Sequence, residues 1–310
     1  MNLFTNKNIL IVGATGKVAE AVIRLFRKDS SVKLKLFSGS IPNGIMNISG
    51  MQYHKVDYFN YNDFYQICNG FKPDVIINLA AMTNVDACED ELVLAWQLNV
   101  NLPQHLAELS STFGAKFIHI STDYIFDGQD GPYGENDICN PISQYGKTKL
   151  LGELEVLKHK NTAILRTNVV YGYSEQGKSD FVTWVIGKGK NNESFNIVDD
   201  QYSNPTFTDD IARTINRVIE KDFTGILNVG GYDYCSRIEF TNTICDVFGL
   251  DKNLIKPIST QSLNQKAQRP LKGGLKIDKL IHQLNINPLS IREGLEVLKG
   301  YMNEYNKTNI

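Results

Sequence analysis

Short apolar runs of strand length alternate with stretches of helical periodicity through the first half of the chain. The first run, Asn8–Val12, leads into a glycine-containing segment and then into apolar positions spaced as in an amphipathic helix. Later helical stretches include Leu92–Ser111 and Ile142–Leu157. The further predicted strands are Val32–Phe37, Met51–Val56, Asp74–Asn78, Lys116–Ser121 and Ala163–Arg166. This alternation predicts an α/β fold, in which a doubly wound parallel sheet carries helices on both faces.

The second half of the chain contributes mainly three segments at helical spacing. These are Phe181–Ile186, Ile211–Ile219 and Phe240–Phe248, and we interpret their apolar faces as core. No linker, low-complexity tract or internal repeat separates the halves. We therefore predict a larger first domain at residues 1–168 and mainly a smaller C-terminal lobe at residues 169–310, interleaved with the first.

Some polar and aromatic residues are given structural roles. Asp209 or Asp210 is predicted to cap the helix that contains Ile211–Ile219. Trp184 is expected to pack in the core rather than to stack on a base. His119 alternates with apolar residues in a strand and is predicted to be half-buried and structural.

The composition narrows the class of protein. The 310 residues carry a net charge of −2, which favours neither nucleic acid nor an anionic membrane as a partner. The five cysteines are odd in number and lack a Cys-x-x-Cys pair, so reduced thiols and a cytoplasmic location are predicted. No apolar run is long enough to cross a bilayer. None of the five histidines shows metal-ligand spacing, so we assign no metal.

A glycine turn follows the first predicted strand. In a strand–turn–helix of this kind, Gly13 allows the tight turn and Gly16 lets a pyrophosphate approach the backbone. Ala19 is small enough for the helix to pack on the strand. An ordinary glycine turn is the alternative for an isolated Gly-x-x-Gly. The position of the turn at the first strand of an alternating chain favours a dinucleotide site and a Rossmann fold.

Tyr145 and Lys149 stand four residues apart in the Ile142–Leu157 stretch, so a helix places them on one face. A lysine charge at roughly 5 Å, in an effective dielectric of about 20, is worth about 3 kcal/mol and predicts a lowered pKa for the phenol. Such a pair suits proton transfer in a carbonyl/alcohol redox step. Because both residue types are common on amphipathic helices, a solvated helix face is the alternative for the spacing alone.

Several motifs fall at the carboxyl ends of predicted strands. These ends carry Gly13, Asp57, Leu79–Ala81 and Ser121–Thr122. Ligands bind at this edge of an open parallel sheet. The sequence therefore predicts one cleft formed by all four segments.

Motifs along nearly the whole chain resemble the extended short-chain dehydrogenase/reductases, and among them the dTDP-4-dehydrorhamnose reductase family. The motifs are Gly13–Ala19, Asn78–Thr83, Asn99, Ser121–Asp127, Tyr145–Lys149, Arg166–Gly172, Asp199–Thr206, Asp209, Asp210, Arg269 and Pro270. The resemblance implies NAD(P)H-dependent reduction of a 4-keto nucleotide-activated deoxysugar. It also implies that the lobe binds the substrate and that the first domain binds the dinucleotide.

The reaction needs a proton on the ketone oxygen, and Tyr145 is the candidate general acid. The resemblance gives Lys149 a second role, contact with the nicotinamide ribose. Thr122 offers a hydroxyl to the same substrate oxygen. Asn99 matches the asparagine that supports a proton path in the family, although a helix-surface or backbone-bonding role is the alternative.

Cofactor contacts are predicted at one end of the cleft. Besides Tyr145 and Lys149, the candidates are Gly13, Thr15, Gly16, Lys17, Val18, Ser38, Asp57, Tyr58, Leu79, Ala80 and Ala81. For Asp57 a turn role is the alternative. Ser38 stands where an enzyme that prefers NADH presents an acid, with Lys17 nearby and no arginine. We therefore predict NADPH as the cofactor, by a modest preference, with NADH also used.

Substrate contacts are assigned with one departure from the family. The candidates are Thr83, Val85, Thr122, Asp123, Val169, Gln201, Asn204 and Arg269. Arg269 suits a diphosphate, with a surface salt bridge as the alternative. Val169 stands where the family commonly has an aromatic residue against the sugar, which leaves another deoxysugar or a heptose open. The resemblance also covers the regulatory subunit of methionine adenosyltransferase, a binding protein, but retention of Thr122 favours an enzyme. A homodimer is a further expectation.

Overall fold

The computed structural model describes residues 7–40, 47–48, 51–175 and 178–308. The strands are β1 (Asn8–Val12), β2 (Lys33–Ser38), β3 (Asn47–Ile48), β4 (Met51–Lys55), β5 (Val75–Asn78), β6 (Lys116–Thr122), β7 (Thr162–Thr167), β8 (Val170–Tyr171), β9 (Phe195–Val198), β10 (Tyr202–Ser203), β11 (Thr206–Phe207), β12 (Gly225–Asn228), β13 (Cys235–Ser236) and β14 (Ile255–Ile258). The helices are α1 (Lys17–Phe26), α2 (Tyr61–Phe71), α3 (Ala87–Asp90), α4 (Leu92–Trp96), α5 (Leu102–Phe113), α6 (Gln144–Val156), α7 (Phe181–Lys190), α8 (Thr208–Glu220), α9 (Arg237–Phe248), α10 (Asp278–Leu284) and α11 (Ile291–Thr308). A π-helical turn, Gln97–Asn101, joins α4 to α5.

The central sheet has the order β12-β7-β6-β5-β1-β2-β4-β3. Its first seven strands are parallel, and β3 pairs antiparallel with β4. Strand order reverses beside β1, which is where such sheets open a ligand crevice. The predicted doubly wound α/β fold is confirmed, and the six predicted strands lie within a residue of their observed limits.

Three apolar cores hold the molecule together. One face of the sheet buries Ile9 and Ile11 against α1, α8 and α10, and the other buries Leu10 and Val12 against α2 and α5. The third core lies in the C-terminal lobe among α7, α9, α11 and β9. Both α8 and β12 return to the central sheet, so residues after 169 contribute to two cores. The division at residue 168 stays a prediction, and its outer limits include residues 1–6 and 309–310, which lie outside the described residues.

Two structural predictions are wrong in detail. Leu92–Ser111 is not one regular helix, because the π-helical turn interrupts it. Neither Asp209 nor Asp210 caps α8, which begins before them at Thr208 without a side-chain cap. Instead Asp209 forms an ion pair with Arg24 at 2.5 Å, and Asp210 accepts a hydrogen bond from the backbone N–H of Leu289.

Among the helices that the structure describes there is no candidate for a membrane span.

Candidate active site

Helix α6 begins immediately before the Tyr145 segment. The hydroxyl of Ser143 accepts a hydrogen bond from the backbone N–H of Gly146 at 3.2 Å, which caps the helix. Gly146 lies so close to the Tyr124 carbonyl that a Cβ would overlap it. Tyr145 and Lys149 are both buried on the side of α6 that faces the sheet. The alternative of a solvated helix face is therefore wrong.

Tyr145 and Thr122 meet at the carboxyl end of β6. Their side chains share a hydrogen bond, which lowers the pKa of Tyr145, but burial outweighs it and raises that pKa well above its usual value. The prediction that Lys149 lowers the phenol pKa is wrong, because removal of the phenol from water dominates. At neutral pH Tyr145 consequently holds its proton.

Lys149 points into the sheet edge beneath Tyr145. Its Nζ donates to the Ile120 carbonyl at 2.7 Å and lies 3.3 Å from His119 Nε2. Burial lowers the pKa of Lys149 to about 8, against the field of Glu153. His119 is only 1% exposed, so the prediction that it is half-buried is wrong, because Lys149 and α6 cover the strand there.

Asn99 lies in the π-helical turn and is fully buried. Its side-chain oxygen accepts from Met82 N at 2.9 Å, and its amide donates to Met82 O at 3.1 Å and to Thr148 Oγ1 at 3.1 Å. A helix-surface role is excluded and a backbone-bonding role is confirmed. A π-turn re-aims one side chain of a helix, and here it fixes the loop after β5.

The glycine turn packs directly on the loop after β5. Gly13 has φ of +83°, and a Cβ there would stand 2.5 Å from Ala80 N. Gly16 begins α1 without a side-chain cap, which leaves the helix N-terminus available to an anion. Ala19 is fully buried in the core between helix and sheet, as predicted. These features fit the pyrophosphate of a dinucleotide.

The residues predicted to contact the adenosine half of the cofactor also lie close together. Thr15 Oγ1 and Ser38 Oγ are 2.8 Å apart and buried, and the Tyr58 hydroxyl bonds to Ser38 and to the backbone of Gly13 and Gly39. A cavity of about 540 Å³ opens beside them. It is lined by Gly39, Lys55, Val56, Asp57, Tyr58 and Phe59.

The other predicted cofactor residues at this end of the cleft have structural contacts of their own. Asp57 accepts from Phe59 N at 2.9 Å, so the turn alternative is correct for its carboxylate. Leu79 N donates to the Val12 carbonyl of β1, and Ala80 N donates to the Asn78 side chain at the end of β5. Ala81 is partly buried and follows them in the same loop.

Lys17 does not face the Ser38 end of the cleft. Its Nζ forms an ion pair with Asp180 at 2.6 Å and donates to the Gly172 carbonyl at 3.1 Å, and its predicted contact with the cofactor stays a prediction. Val18 packs against the core. Lys178, which the sequence did not single out, donates to the Thr15 carbonyl. Two lysines thus join the loop before α7 to the glycine turn.

Asp123 and Asn204 both take part in a network of buried hydrogen bonds. Asp123 is fully buried, and burial raises its pKa. Its Oδ2 accepts from Gly274 N at 3.0 Å and from Asn168 Nδ2 at 3.2 Å. Asn204 Oδ1 accepts from Asn168 Nδ2 at 2.8 Å and from Leu275 N at 3.0 Å. These hydrogen bonds engage both side chains, and their predicted contact with the substrate stays a prediction.

The lobe holds a cavity of about 680 Å³ that reaches Tyr124. Gln201 and Arg269 line it, as the prediction of substrate contacts requires. Arg269 also forms a bidentate ion pair with Asp86, at 3.0 and 2.7 Å, so the salt-bridge alternative is correct as well. The Tyr124 ring meets the Tyr145 ring edge-on, with centroids 5.6 Å apart. The cavity therefore leads toward the proton donor.

Arg237 is the residue of this cavity that the sequence analysis missed. Its guanidinium lies 4.6 Å from the Phe181 ring centroid, and burial lowers its pKa. Arg269 and Lys188 are paired with Asp86 and Glu193, whereas Arg237 has no ion-pair partner among the described residues. Ser236 and Glu239 identify the start of α9 by a capping box, but nothing nearby marks Arg237 as a ligand contact.

Three further predicted contacts lie at different depths. Val85 packs with Tyr145 in a small apolar cluster, whereas Thr83 is exposed. Val169 is partly buried with φ of +38°, a conformation that is rare and strained for a β-branched residue. Trp184 packs edge-on against Phe195, but it is 38% exposed and lines the 680 Å³ cavity, so the prediction that it packs in the core is wrong.

A Rossmann sheet, a glycine turn at its first helix and a Thr122–Tyr145–Lys149 group together define an NAD(P)H-dependent oxidoreductase of the short-chain dehydrogenase/reductase type. The sequence model of the RmlD substrate binding domain family matches residues 7–303. The chain belongs to this family, which confirms its resemblance to the dTDP-4-dehydrorhamnose reductases.

Comparison with known proteins covers nearly the whole chain. A dTDP-4-dehydrorhamnose reductase from Aggregatibacter actinomycetemcomitans is 31% identical over 307 residues, which covers 94% of this chain and 98% of that protein. The methionine adenosyltransferase 2 subunit beta of Bos taurus is 33% identical over 283 residues, with 89% and 82% covered. The crystal structure of dTDP-4-dehydrorhamnose reductase from Bacillus anthracis in complex with NADP has a TM-score of 0.83 and 29% identity, with 94% and 98% covered.

Proposed function

We propose that this protein reduces the 4-keto group of a nucleotide-activated deoxysugar, with NADPH as the cofactor. The observation that carries the proposal is the hydrogen bond between Thr122 and Tyr145 at the inner end of a cavity lined by Arg237, which has no ion-pair partner among the described residues. Reduction places a hydride on the carbonyl carbon and a proton on its oxygen. Bound NADPH supplies the hydride.

The protein's own groups supply the proton and stabilise charge. Tyr145 is protonated at neutral pH because burial raises its pKa, so its O–H is available to the ketone oxygen. The Thr122 hydroxyl donates to the same oxygen as negative charge develops there. When Tyr145 becomes a phenolate, the positive charge of Lys149 one turn along α6 stabilises it.

The nucleotide half of the substrate is proposed to lie in the 680 Å³ cavity. A partly buried guanidinium that has no counter-ion among the described residues is costly, and a diphosphate relieves that cost at Arg237. Trp184 and Phe195 line the same cavity and offer apolar faces to a base. Tyr124 stands between this cavity and Tyr145, so the sugar is directed toward the proton donor.

Arg237→Met tests this placement. We expect KM for the nucleotide sugar to rise at least about tenfold, or about 1.4 kcal/mol, with a smaller change in kcat. Arg292→Met is the matched control, because Arg292 is 59% exposed in its side chain and lies on α11. An unchanged KM in Arg237→Met would remove the diphosphate from this cavity.

The reaction itself is tested with purified protein, NADPH and a panel of nucleotide 4-ketosugars that starts with dTDP-4-dehydrorhamnose. Absorbance of the reduced cofactor is followed, and the same panel is repeated with NADH. We expect oxidation of NADPH with at least one sugar and slower use of NADH. The further expectations of a homodimer and a cytoplasmic location remain part of this proposal and are tested by light scattering and cell fractionation.

A second candidate is a non-catalytic regulatory subunit, because the chain is similar to methionine adenosyltransferase 2 subunit beta over 89% of its length. The intact Thr122–Tyr145 hydrogen bond favours the enzyme, since a binding subunit has no need of a proton donor. Absence of turnover with every sugar, together with tight binding to a methionine adenosyltransferase, would reverse this preference.

A further inference from the structure

Three buried side chains form a chain of polar contacts beneath the proton donor. Lys149 Nζ lies 3.3 Å from His119 Nε2, and His119 Nδ1 lies 3.2 Å from Asn78 Nδ2. The exposed fractions of Asn78, His119 and Lys149 are 0%, 1% and 2%. Buried polar groups need matched donors and acceptors, so the direction of each hydrogen bond can be derived.

The direction is fixed at the asparagine. Asn78 Oδ1 accepts the backbone N–H of Ala80 at 3.1 Å, and a flipped amide would oppose two donors there. The Nδ2 group of Asn78 therefore faces His119 as a donor, which makes Nδ1 of the ring the acceptor. A neutral imidazole with a bare Nδ1 carries its proton on Nε2, on the side of Lys149.

The His119 N–H then faces the Lys149 nitrogen. An ammonium has no lone pair to accept it, whereas the uncharged amine has one. We propose that His119 is a positioning residue for Lys149: Asn78 holds the proton of His119 on Nε2, and that N–H favours the uncharged form of the lysine amine. The amine keeps one of its own hydrogens on the Ile120 carbonyl at 2.7 Å, so its position is fixed as well.

Neighbouring groups and burial also change the pKa values of Lys149 and His119. Glu153 lies one turn further along α6 and raises the pKa of Lys149, and its own partner is Arg166 of β7 at 2.7 Å. Burial lowers the pKa of His119 well below its usual value, with a further lowering by Lys149, so the ring stays neutral. Tyr145, on the same helix, is protonated.

A functional consequence rests on the proposed reductase activity. Reduction needs the charged form of Lys149 beside the Tyr145 phenolate, so kcat/KM falls as pH rises through the Lys149 pKa of about 8. A change that reverses the His119 tautomer stabilises the ammonium and moves this alkaline limb to higher pH. Asn78→Asp is that change, because a carboxylate oxygen accepts from His119 Nδ1–H and the other still accepts from Ala80.

The first experiment needs no enzymatic activity. Nitrogen-15 NMR of the histidine rings in the wild-type protein is expected to show one pH-insensitive ring with its proton on Nε2, and His119→Phe assigns that signal. A proton on Nδ1 overturns the proposal, whatever the outcome of the sugar panel. In Asn78→Asp the proton is expected on Nδ1.

The second experiment separates the tautomer from the added charge. Asn78→Asp is expected to raise the alkaline limb of kcat/KM by at least about one pH unit, and by clearly less in the His119→Phe background, where no ring relays the change. NADPH binding and thermal unfolding verify that each variant is folded. Equal shifts in both backgrounds mean that the carboxylate acts directly on Lys149 and contradict the proposal.

Discussion

Tyr145 illustrates how burial and a hydrogen bond act on one side chain in opposite directions. The bond from Thr122 favours the phenolate, yet removal from water disfavours it more strongly and raises the pKa. A residue of this kind stays protonated in the protein without substrate. It gives up the proton only when a developing charge on the substrate and the nearby Lys149 make the transfer favourable.

Tyr145→Phe removes the proton donor and keeps the ring in its apolar cluster. We expect kcat to fall at least about a hundredfold with little change in the free energy of unfolding. Tyr124→Phe is the control, since its ring is adjacent but its hydroxyl has no assigned role in proton transfer. Steady-state kinetics with matched urea unfolding measure both, and activity of Tyr145→Phe within a few-fold of wild type would exclude Tyr145 as the acid.

At the scale of elements, the parallel register of two strands brings separate sequence positions to the adenosine end of the cleft. Ser38 of β2 is the register partner of Lys55 of β4, and Lys55 lines the 540 Å³ cavity. The sequence alone suggested Lys17 of the glycine turn as the cation near Ser38, but Lys17 pairs with Asp180. Lys55 lies on the next strand, and only the register places it beside Ser38.

This pairing predicts the cofactor preference. Ser38→Asp is expected to shift the ratio of kcat/KM toward NADH by at least about tenfold, because a carboxylate bonds the ribose 2′-hydroxyl and repels a 2′-phosphate. Lys55→Met is expected to weaken NADPH binding while NADH binding changes little. Fluorescence titration with each cofactor measures this directly. A wild-type protein that favours NADH tenfold, or a Lys55→Met variant with unaltered NADPH affinity, would contradict this prediction of cofactor preference.

The glycine turn couples β1 to the loop after β5 through close backbone contact. Gly13→Ala adds a Cβ that meets Ala80 N at 2.5 Å, in addition to the left-handed φ of +83°. Gly114→Ala is a matched control, because Gly114 has φ of +70° and nothing within 4 Å of the added atom. We expect urea unfolding to show about 1 kcal/mol lost at Gly114 and at least about 2 kcal/mol more at Gly13. Equal losses would mean that the contact with Ala80 relaxes freely.

At the scale of the whole molecule, the buried Asn204 joins polar groups that lie far apart along the chain. Asn204 bonds Asn168, Gly231 and Leu275 through four hydrogen bonds of 2.8 to 3.1 Å. Asn204→Ala leaves several of these buried partners unsatisfied, and we expect about 2–4 kcal/mol of unfolding free energy to be lost. Asn196→Ala, on the exposed side of β9, is expected to change it by less than about 0.5 kcal/mol. A loss of unfolding free energy below 1 kcal/mol in Asn204→Ala would show that water replaces these hydrogen bonds.

Features that depend on near neighbours along the chain were predictable from the amino-acid sequence. The apolar runs of β1 and β5, the small residue at Ala19 and the four-residue spacing of Tyr145 and Lys149 each act within one or two elements. Periodicity and spacing report such features, because a strand or helix fixes the relative direction of residues a few positions apart. The fold class and the location of the cleft followed from them.

The partner of each polar group depends on contacts between residues that are far apart in the chain. Lys17 meets Asp180, Asn204 meets Leu275, and Arg237 meets no carboxylate among the described residues, although nothing in the local sequence distinguishes these outcomes. The raised pKa of Tyr145 has the same origin, since the desolvation of a group depends on everything packed around it. Long-range contacts and burial are properties of the assembled molecule, and they give the cleft its chemistry.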